Sequence, residues 1–246
     1  MTYIIILNYN GWKDTIECLN SLSCIQEDCK IVLIDNKSTD DSIDKLEKWI
    51  QNQKELSSNL IFIKSSENNG YAAGNNIGIK YVESQEDAQF IWILNNDTLI
   101  QEDTFKNLIN CYKNLENENI ALLGSKILNE DLTIQSVGFT TKQYSQKEIE
   151  VLSNVEVEHI SGCSVFFRVK KIKEIGYIPE EYFLYYEETD WMKSIKQKGF
   201  KIFTCLSSQL IHKHAKSTGG IYSPFVIYYM TRNQILFNKK YYKGFF

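Results

Sequence analysis

Two short stretches of this 246-residue chain hold side chains that could do chemistry. In "FIWILNNDTLI" an apolar run stops abruptly at Asn95, Asn96 and Asp97, and in "FLYYEETDWMKSIKQKG" the acids Glu187, Glu188 and Asp190 open a helical stretch that Gly199 would terminate. A carboxylate such as Asp97 approaches an anionic phosphate only through a divalent cation with hard oxygen ligands. Carboxylates in the first turn of a helix are held by its free N–H groups, where one of them could take a proton from a hydroxyl. An acidic first turn that merely caps the helix is the plainer reading. The aromatic company of Phe183, Tyr185, Tyr186 and Trp191 favours a ring-binding site, with Tyr186 and Trp191 as contacts.

Elements must deliver these groups to one place. The β-rich segments "YIIILNY" (3–9), "KIVLID" (30–35), "LIFIK" (60–64) and "FIWIL" (90–94) alternate with helical periodicity, in which Ile43, Leu46 and Ile50 share one face and Phe105, Leu108, Ile109 and Tyr112 another. Ser38 or Thr39 is the expected cap ahead of Asp40 and Asp41. Repeated strand and helix imply an α/β fold, with a mostly parallel central sheet flanked by helices. Its ligand edge lies at the strands' carboxyl ends, where "NYNG" (8–11), "DNKSTDDS" (35–42), "SSENNGYAAGNN" (65–76) and "NNDT" (95–98) would converge. Neither G-x-G-x-x-G nor G-x-x-x-x-G-K-[ST] is present, which argues against dinucleotide and P-loop sites. Gly70, Gly74 and Gly78 recur every four residues, as close packing of one helix face requires.

A composition of 43% hydrophobic and 24% charged residues is that of a globular protein, and a net charge of -4 gives no reason to expect DNA or RNA as partner. The cysteines form no C-x-x-C pair, and the N-terminus lacks the basic and apolar regions of a secretory signal. A cytoplasmic setting with reduced thiols is expected. No run of about 18 apolar residues is present to span a membrane.

Seven segments in chain order, "ILNYNGWKDTIECLNSL", "IDNKSTDDS", "ENNGYAAGNNIGI", "LNNDT", "SGCSVFFRVKKIKEIG", "EYFLYYEETDWMKSIKQKGFKI" and "IHKHAKSTGG…YYMTRNQILF", resemble the family 2 glycosyltransferases of GT-A fold, especially the bacterial rhamnosyltransferase-like branch. The resemblance implies a Rossmann-like nucleotide-binding half, about 1–100, fused to an acceptor half, about 101–220, in a single domain that ends with an aromatic and basic helical segment, 221–246. It implies an inverting enzyme that moves a sugar, rhamnose in the branch-level reading, from a dTDP, UDP or GDP sugar to a glycan or lipid-linked acceptor, with Mg²⁺ or Mn²⁺ at the diphosphate. Carried over residue by residue, Asp97 and His212 are metal ligands, and Asn95 stands at the first position of the D-x-D-type motif beside Asn96. Asp35 reads the base, Asn8, Asn10 and Ser38 border the nucleoside, and Gly70 and Asn75 lie along the donor. Glu188 is the general base, with Glu187 and Asp190 positioning the acceptor or the loop.

Two departures from the family pattern carry consequences. "NND" offers one carboxylate, so metal affinity without donor diphosphate is expected to be weak. Glu188 stands where the family usually has Asp, which leaves Asp190 as the alternative base. From the residues alone His212 and His214 are equivalent, and His159 reads as structural. Arg232 could reach the diphosphate or an acidic acceptor, or form a plain salt bridge. The segment "FVIYYMTRNQILFNKKYYKGFF", with Lys239, Lys240 and Lys243, reads equally as a packed helix and as a peripheral contact at the inner face of a membrane. Two rivals remain. A sugar-1-phosphate nucleotidyltransferase would want a Gly-rich basic loop where "NYNGWKD" stands, and a non-catalytic sugar-nucleotide scaffold would not need "YYEETDW".

Overall fold

The computed structural model of the chain describes all residues except 26–27, 54–57, 142–151, 214–222 and 243–246. Strands β1 (Thr2–Asn8), β2 (Cys29–Asp35), β3 (Leu60–Lys64) and β4 (Phe90–Asn95) lie parallel in the order β3-β2-β1-β4. Parallel neighbours need long crossovers. Helices α1 (Trp12–Ser21), α2 (Ser42–Asn52) and α3 (Gly70–Glu83) supply them. Because the sheet grows from β1 first towards β3 and then back towards β4, a crevice opens at the carboxyl ends of β1 and its neighbours.

Strand alternation divides the core between two faces of the sheet. Ile4, Ile6, Leu33 and Trp92 pack with Leu19, Leu46 and Phe105 on one side. On the other side Ile5, Ile34 and Ile93 pack with Ala72, Ile79 and Trp191. Gly74 and Gly78 let α3 approach closely, since a Cβ would lie 2.6 Å from the Leu7 side chain at the first and 2.7 Å from Ile5 at the second. Ser38 and Thr39 do not cap α2, which starts behind Asp41; both are drawn into hydrogen bonds with Asn10.

Past β4 the sheet becomes mixed, through β5 (Thr98–Ile100), β6 (Ile120–Leu128), β7 (Ile134–Ser136), β8 (Asn154–Val157), β9 (Ser164–Arg168) and β10 (Lys201–His212). β9 runs antiparallel between β4 and β6, and β10 pairs with β5 at its far end. Helices α4 (Thr104–Asn114), α5 (Ile172–Ile175), α6 (Glu187–Gln197) and α7 (Pro224–Tyr241) complete the fold. Among the described residues no helix is long and apolar enough to cross a membrane.

Candidate active site

At the crevice edge, Asn8 and Asp35 end β1 and β2 side by side and are fully buried. A buried carboxylate is tolerated only when its lone pairs are used. Asn8 Nδ2 donates to Asp35 Oδ2 at 2.8 Å, and the Ser38 amide and hydroxyl donate to Oδ1 and Oδ2 at 2.8 and 2.7 Å. Asn8 Oδ1 accepts from the Thr15 hydroxyl at 2.7 Å, and Asn10 Oδ1 accepts from the Thr39 amide at 2.8 Å. Asp35 is thus held by three hydrogen bonds and buried in this structure, where the sequence expectation has it reading a base. It shapes the following turn, and Tyr9, Asn10 and Lys37 form the exposed rim.

The next corner is built where β4 ends. The Asn95 amide donates to Cys163 O at 3.0 Å, and the Thr98 hydroxyl closes the turn onto Asn95 O at 2.7 Å. Asn96 Nδ2 donates to the Thr15 hydroxyl at 2.9 Å. Pairing of β5 with β10 places His212 opposite Thr98, and its Nε2 then lies 3.3 Å from Asp97 Oδ1, a buried oxygen that makes no hydrogen bond. Gln135 holds the ring from behind: its Oε1 is 2.8 Å from His212 Nδ1, while its Nε2 donates to Asn129 Oδ1 and His212 O at 3.0 and 3.1 Å. Because the amide oxygen only accepts, Nδ1–H points back to Gln135 and Nε2 is the ring nitrogen that faces Asp97. An imidazole nitrogen and an unspent carboxylate oxygen this close are a donor set that fits a divalent cation. Among the described residues no group of three His, Cys, Asp or Glu is placed to hold one.

The third corner carries the acids. Phe183 (φ 64, ψ −55) is the centre of a γ-turn closed by the Leu184 amide on Tyr182 O at 2.8 Å, and Tyr185 and Tyr186 follow at φ 66 and 76. Left-handed backbone costs a residue with a Cβ about 1–2 kcal/mol, so this loop has to be held by its surroundings. It delivers Glu188 against Gly162, where a Cβ would lie 3.1 Å from Glu188 Oε1. The Tyr71 hydroxyl joins this corner to the previous one, 2.8 Å from Gly162 O and 3.2 Å from Asn95 Oδ1. Burial, then the Glu188 and Glu187 carboxylates, push the Tyr71 phenol well up, so it stays a neutral donor. Glu187 Oε2 and Glu188 Oε2 are buried without a hydrogen-bond partner. Burial and then the adjacent Glu188 push Glu187 well above the usual carboxylate range, which favours its neutral form. Burial lowers the His159 pKa, and its Nε2 lies 3.5 Å from the Thr189 hydroxyl.

A sequence model of glycosyl transferase family 2 matches residues 3–176, which span the Asp35 and Asp97 corners. The chain belongs to glycosyl transferase family 2. It is 24% identical over 241 residues to the low-salt glycan biosynthesis hexosyltransferase Agl10 of Haloferax volcanii, covering 95% of this chain and 74% of that protein. Over 166 residues it is 26% identical to the minor teichoic acid biosynthesis protein GgaB of Bacillus subtilis, covering 67% of this chain and 17% of GgaB. Its fold is similar to that of the mannosyltransferase PcManGT from Pyrobaculum calidifontis, solved with GDP-Man and Mn²⁺, at a TM-score of 0.65 and 14% identity; the match covers 88% of this chain and 57% of that one. GalNAc-T7, solved with UDP, GalNAc and Mn²⁺, matches at a TM-score of 0.72 and 15% identity over 97% of this chain and 49% of its own. At these identities the structures establish a shared GT-A fold.

Within that family frame several expected site residues have partners inside the fold. Trp191 is a core residue, its indole N–H on Gly176 O at 3.0 Å and its ring edge-on to Phe167, so it offers no face to an acceptor. Asp190 is fully buried, accepting from Tyr182 at 2.7 Å, Lys240 at 2.6 Å and Tyr241, so it ties α6 to α7 and has no free oxygen to act as base. Tyr186 packs its ring on Phe237. Arg232 donates to Glu181 O at 3.2 Å and to Asn233 Oδ1 at 2.6 Å, contacts within the fold. Gly70, at φ +93, is explained by the acid loop: a Cβ there would lie 2.0 Å from Phe183 O. Asn75 is buried in α3 and donates to Tyr71 O at 3.0 Å. His214 lies outside the described residues. Tyr71, Gln135, Gly162 and Asn233 were missed; only Tyr71, inside "NNGYAAGNN", sat in a segment already marked as ligand edge.

Proposed function

We propose that this chain transfers a hexosyl group from a nucleoside diphosphate sugar to an acceptor hydroxyl with inversion, Glu188 taking the acceptor's proton. The observation that carries this reading is one connected set of groups at the carboxyl edge of the sheet. The Asp97–His212 pair stands at one corner and Glu188, with an unspent carboxylate oxygen, at another, joined through Asn95, Tyr71 and Gly162. Single displacement needs a base on the side of the sugar away from the leaving diphosphate, and two separated corners supply that division. Asp97 and His212 would hold Mg²⁺ or Mn²⁺, which would supply stabilisation of the negative charge on the leaving diphosphate. Asn10, Lys37 and Ser38 line the side towards the nucleoside.

Residues 1–100 serve the nucleotide and 101–220 the acceptor in this reading, and α7 backs the acid loop. The names of Agl10 and GgaB favour a glycan or another envelope polymer as acceptor. GDP-Man on PcManGT and UDP on GalNAc-T7 favour a nucleoside diphosphate as carrier, and rhamnose is the sugar assigned from the branch resemblance. Phe225, Ile227, Tyr228 and Met230 are exposed on α7, ahead of Lys239 and Lys240, a surface suited to peripheral contact with a membrane holding a lipid-linked acceptor.

The test is release of free nucleoside diphosphate from a panel of UDP, GDP and dTDP sugars with Mn²⁺ or Mg²⁺, for wild type and Asp97→Ala. Metal-dependent release that Asp97→Ala abolishes supports the reading. Tight donor binding with neither hydrolysis nor transfer favours the scaffold alternative, and pyrophosphate release from a nucleoside triphosphate and a sugar phosphate favours the nucleotidyltransferase.

A further inference from the structure

The loop that delivers Glu187 and Glu188 is gripped from a distant part of the chain. Asn233, on α7, is fully buried, and its Nδ2 lies 2.8 Å from each of three loop carbonyls, Tyr182 O, Leu184 O and Tyr185 O. The orientation of its amide is fixed, because the Arg232 guanidinium donates to Asn233 Oδ1 at 2.6 Å and so turns Nδ2 to the loop. The same guanidinium donates to Glu181 O at 3.2 Å, just before the loop. Aromatic contacts run alongside: Phe183 stacks on Tyr229 at 4.9 Å and Tyr186 tilts onto Phe237 at 5.5 Å between centroids.

The grip falls on backbone that does not hold itself. Phe183, Tyr185 and Tyr186 all have positive φ, a region closed to most side chains. From the opposite side the Tyr71 amide donates to Phe183 O at 2.7 Å, across the space that Gly70 leaves open. Held loops of this kind accompany functional sites, where the surroundings over-determine a conformation the sequence would not choose.

We infer that Asn233 is a positioning residue for the base: its one amide, oriented by Arg232, gathers three loop carbonyls and sets the backbone from which Glu188 reaches the crevice. The inference rests on Glu188 as the base in the proposed transfer. Asn233 is fully buried and acts through the loop.

Asn233→Asp tests it at nearly constant volume. The Arg232 contact survives, while the amide donor becomes an oxygen facing three carbonyls. Hydrogen exchange of peptides covering 182–190 should accelerate by about tenfold or more with β1 to β4 unchanged, and product release at saturating donor should fall on the order of 100-fold with donor KM held. Val226→Ala is the control, a buried truncation two turns earlier on the same helix with no side-chain hydrogen bond to the loop carbonyls. It should lower Tm and leave the rate intact. Loop exchange equal to wild type in Asn233→Asp overturns the inference, as does a rate loss no larger than that of Val226→Ala at matched Tm. If Asn233→Asp fails to fold, Arg232→Lys, which loses the planar fork that orients the amide, is scored by the same two criteria. If wild type turns over no donor, the proposed transfer fails, while the exchange result still decides whether Asn233 holds the loop.

Discussion

Asp35 and Glu188 are carboxylates at two corners of one crevice, and the fold treats them oppositely. Among the described residues, the hydrogen bonds to the Asp35 carboxylate come from the neighbouring strand end or its own turn, Asn8 and Ser38, and the side chain is sealed. Glu188 stands in the first turn of α6, just after a positive-φ loop held by Asn233, about fifty residues downstream, and by Tyr71, over a hundred upstream, and keeps a buried oxygen without a partner. A carboxylate whose lone pairs are used builds the site; one left short of donors is available for a proton. Asp97 belongs with Glu188 in this respect, and Asp190 with Asp35.

The contrast can be broken by substitution. Trp191→Ala should cost about 3–5 kcal/mol of stability, as large core truncations do, and leave acceptor KM unchanged in the folded fraction; a raised KM at constant Tm would return Trp191 to the acceptor site. Gly70→Ala drives a Cβ into Phe183 O and should cost about 2–4 kcal/mol in denaturant melts, with the rate falling further than the folded fraction explains. Gln135→Ala frees the His212 ring and should weaken Mn²⁺ binding in the presence of UDP by about 10–100-fold, read by calorimetry; Mn²⁺ without nucleotide should bind weakly even to wild type. The smallest effect is a pH dependence. Glu187 is raised above its ordinary 4.5, so the native state keeps a proton that the unfolded chain releases, and stability falls as pH climbs from 4.5 towards the native value. Glu187→Gln has nothing to titrate, so its Tm should match wild type near pH 4 and exceed it increasingly from pH 5 to 8.

Much of the frame was legible because it obeys local periods. Short β-rich runs marked β1 to β4 to within a residue or so, and helical spacing marked the buried faces of α2 and α4. Polar strand ends marked the crevice, and family resemblance brought Asp97 and His212 together across more than a hundred residues. The failures share one cause. A polar or aromatic residue beside a strand or helix end looks the same in sequence whether it faces ligand or core, so Asp35, Asp190 and Trp191 were read as facing the ligand. Asn233 and Gln135 were invisible because their partners are backbone carbonyls and a distant histidine, which no local pattern encodes.

One substitution chemistry applied at both corners tests the account most directly: Glu188→Gln and Asp35→Asn each exchange a carboxylate for its amide. The measurement is nucleoside diphosphate release per folded enzyme at saturating donor. Glu188→Gln should lose about 10²–10⁴-fold in rate at unchanged donor affinity and Tm, and Asp35→Asn should lose Tm while its folded fraction keeps the rate. Full turnover by Glu188→Gln, or a rate collapse in Asp35→Asn at wild-type Tm, would contradict it.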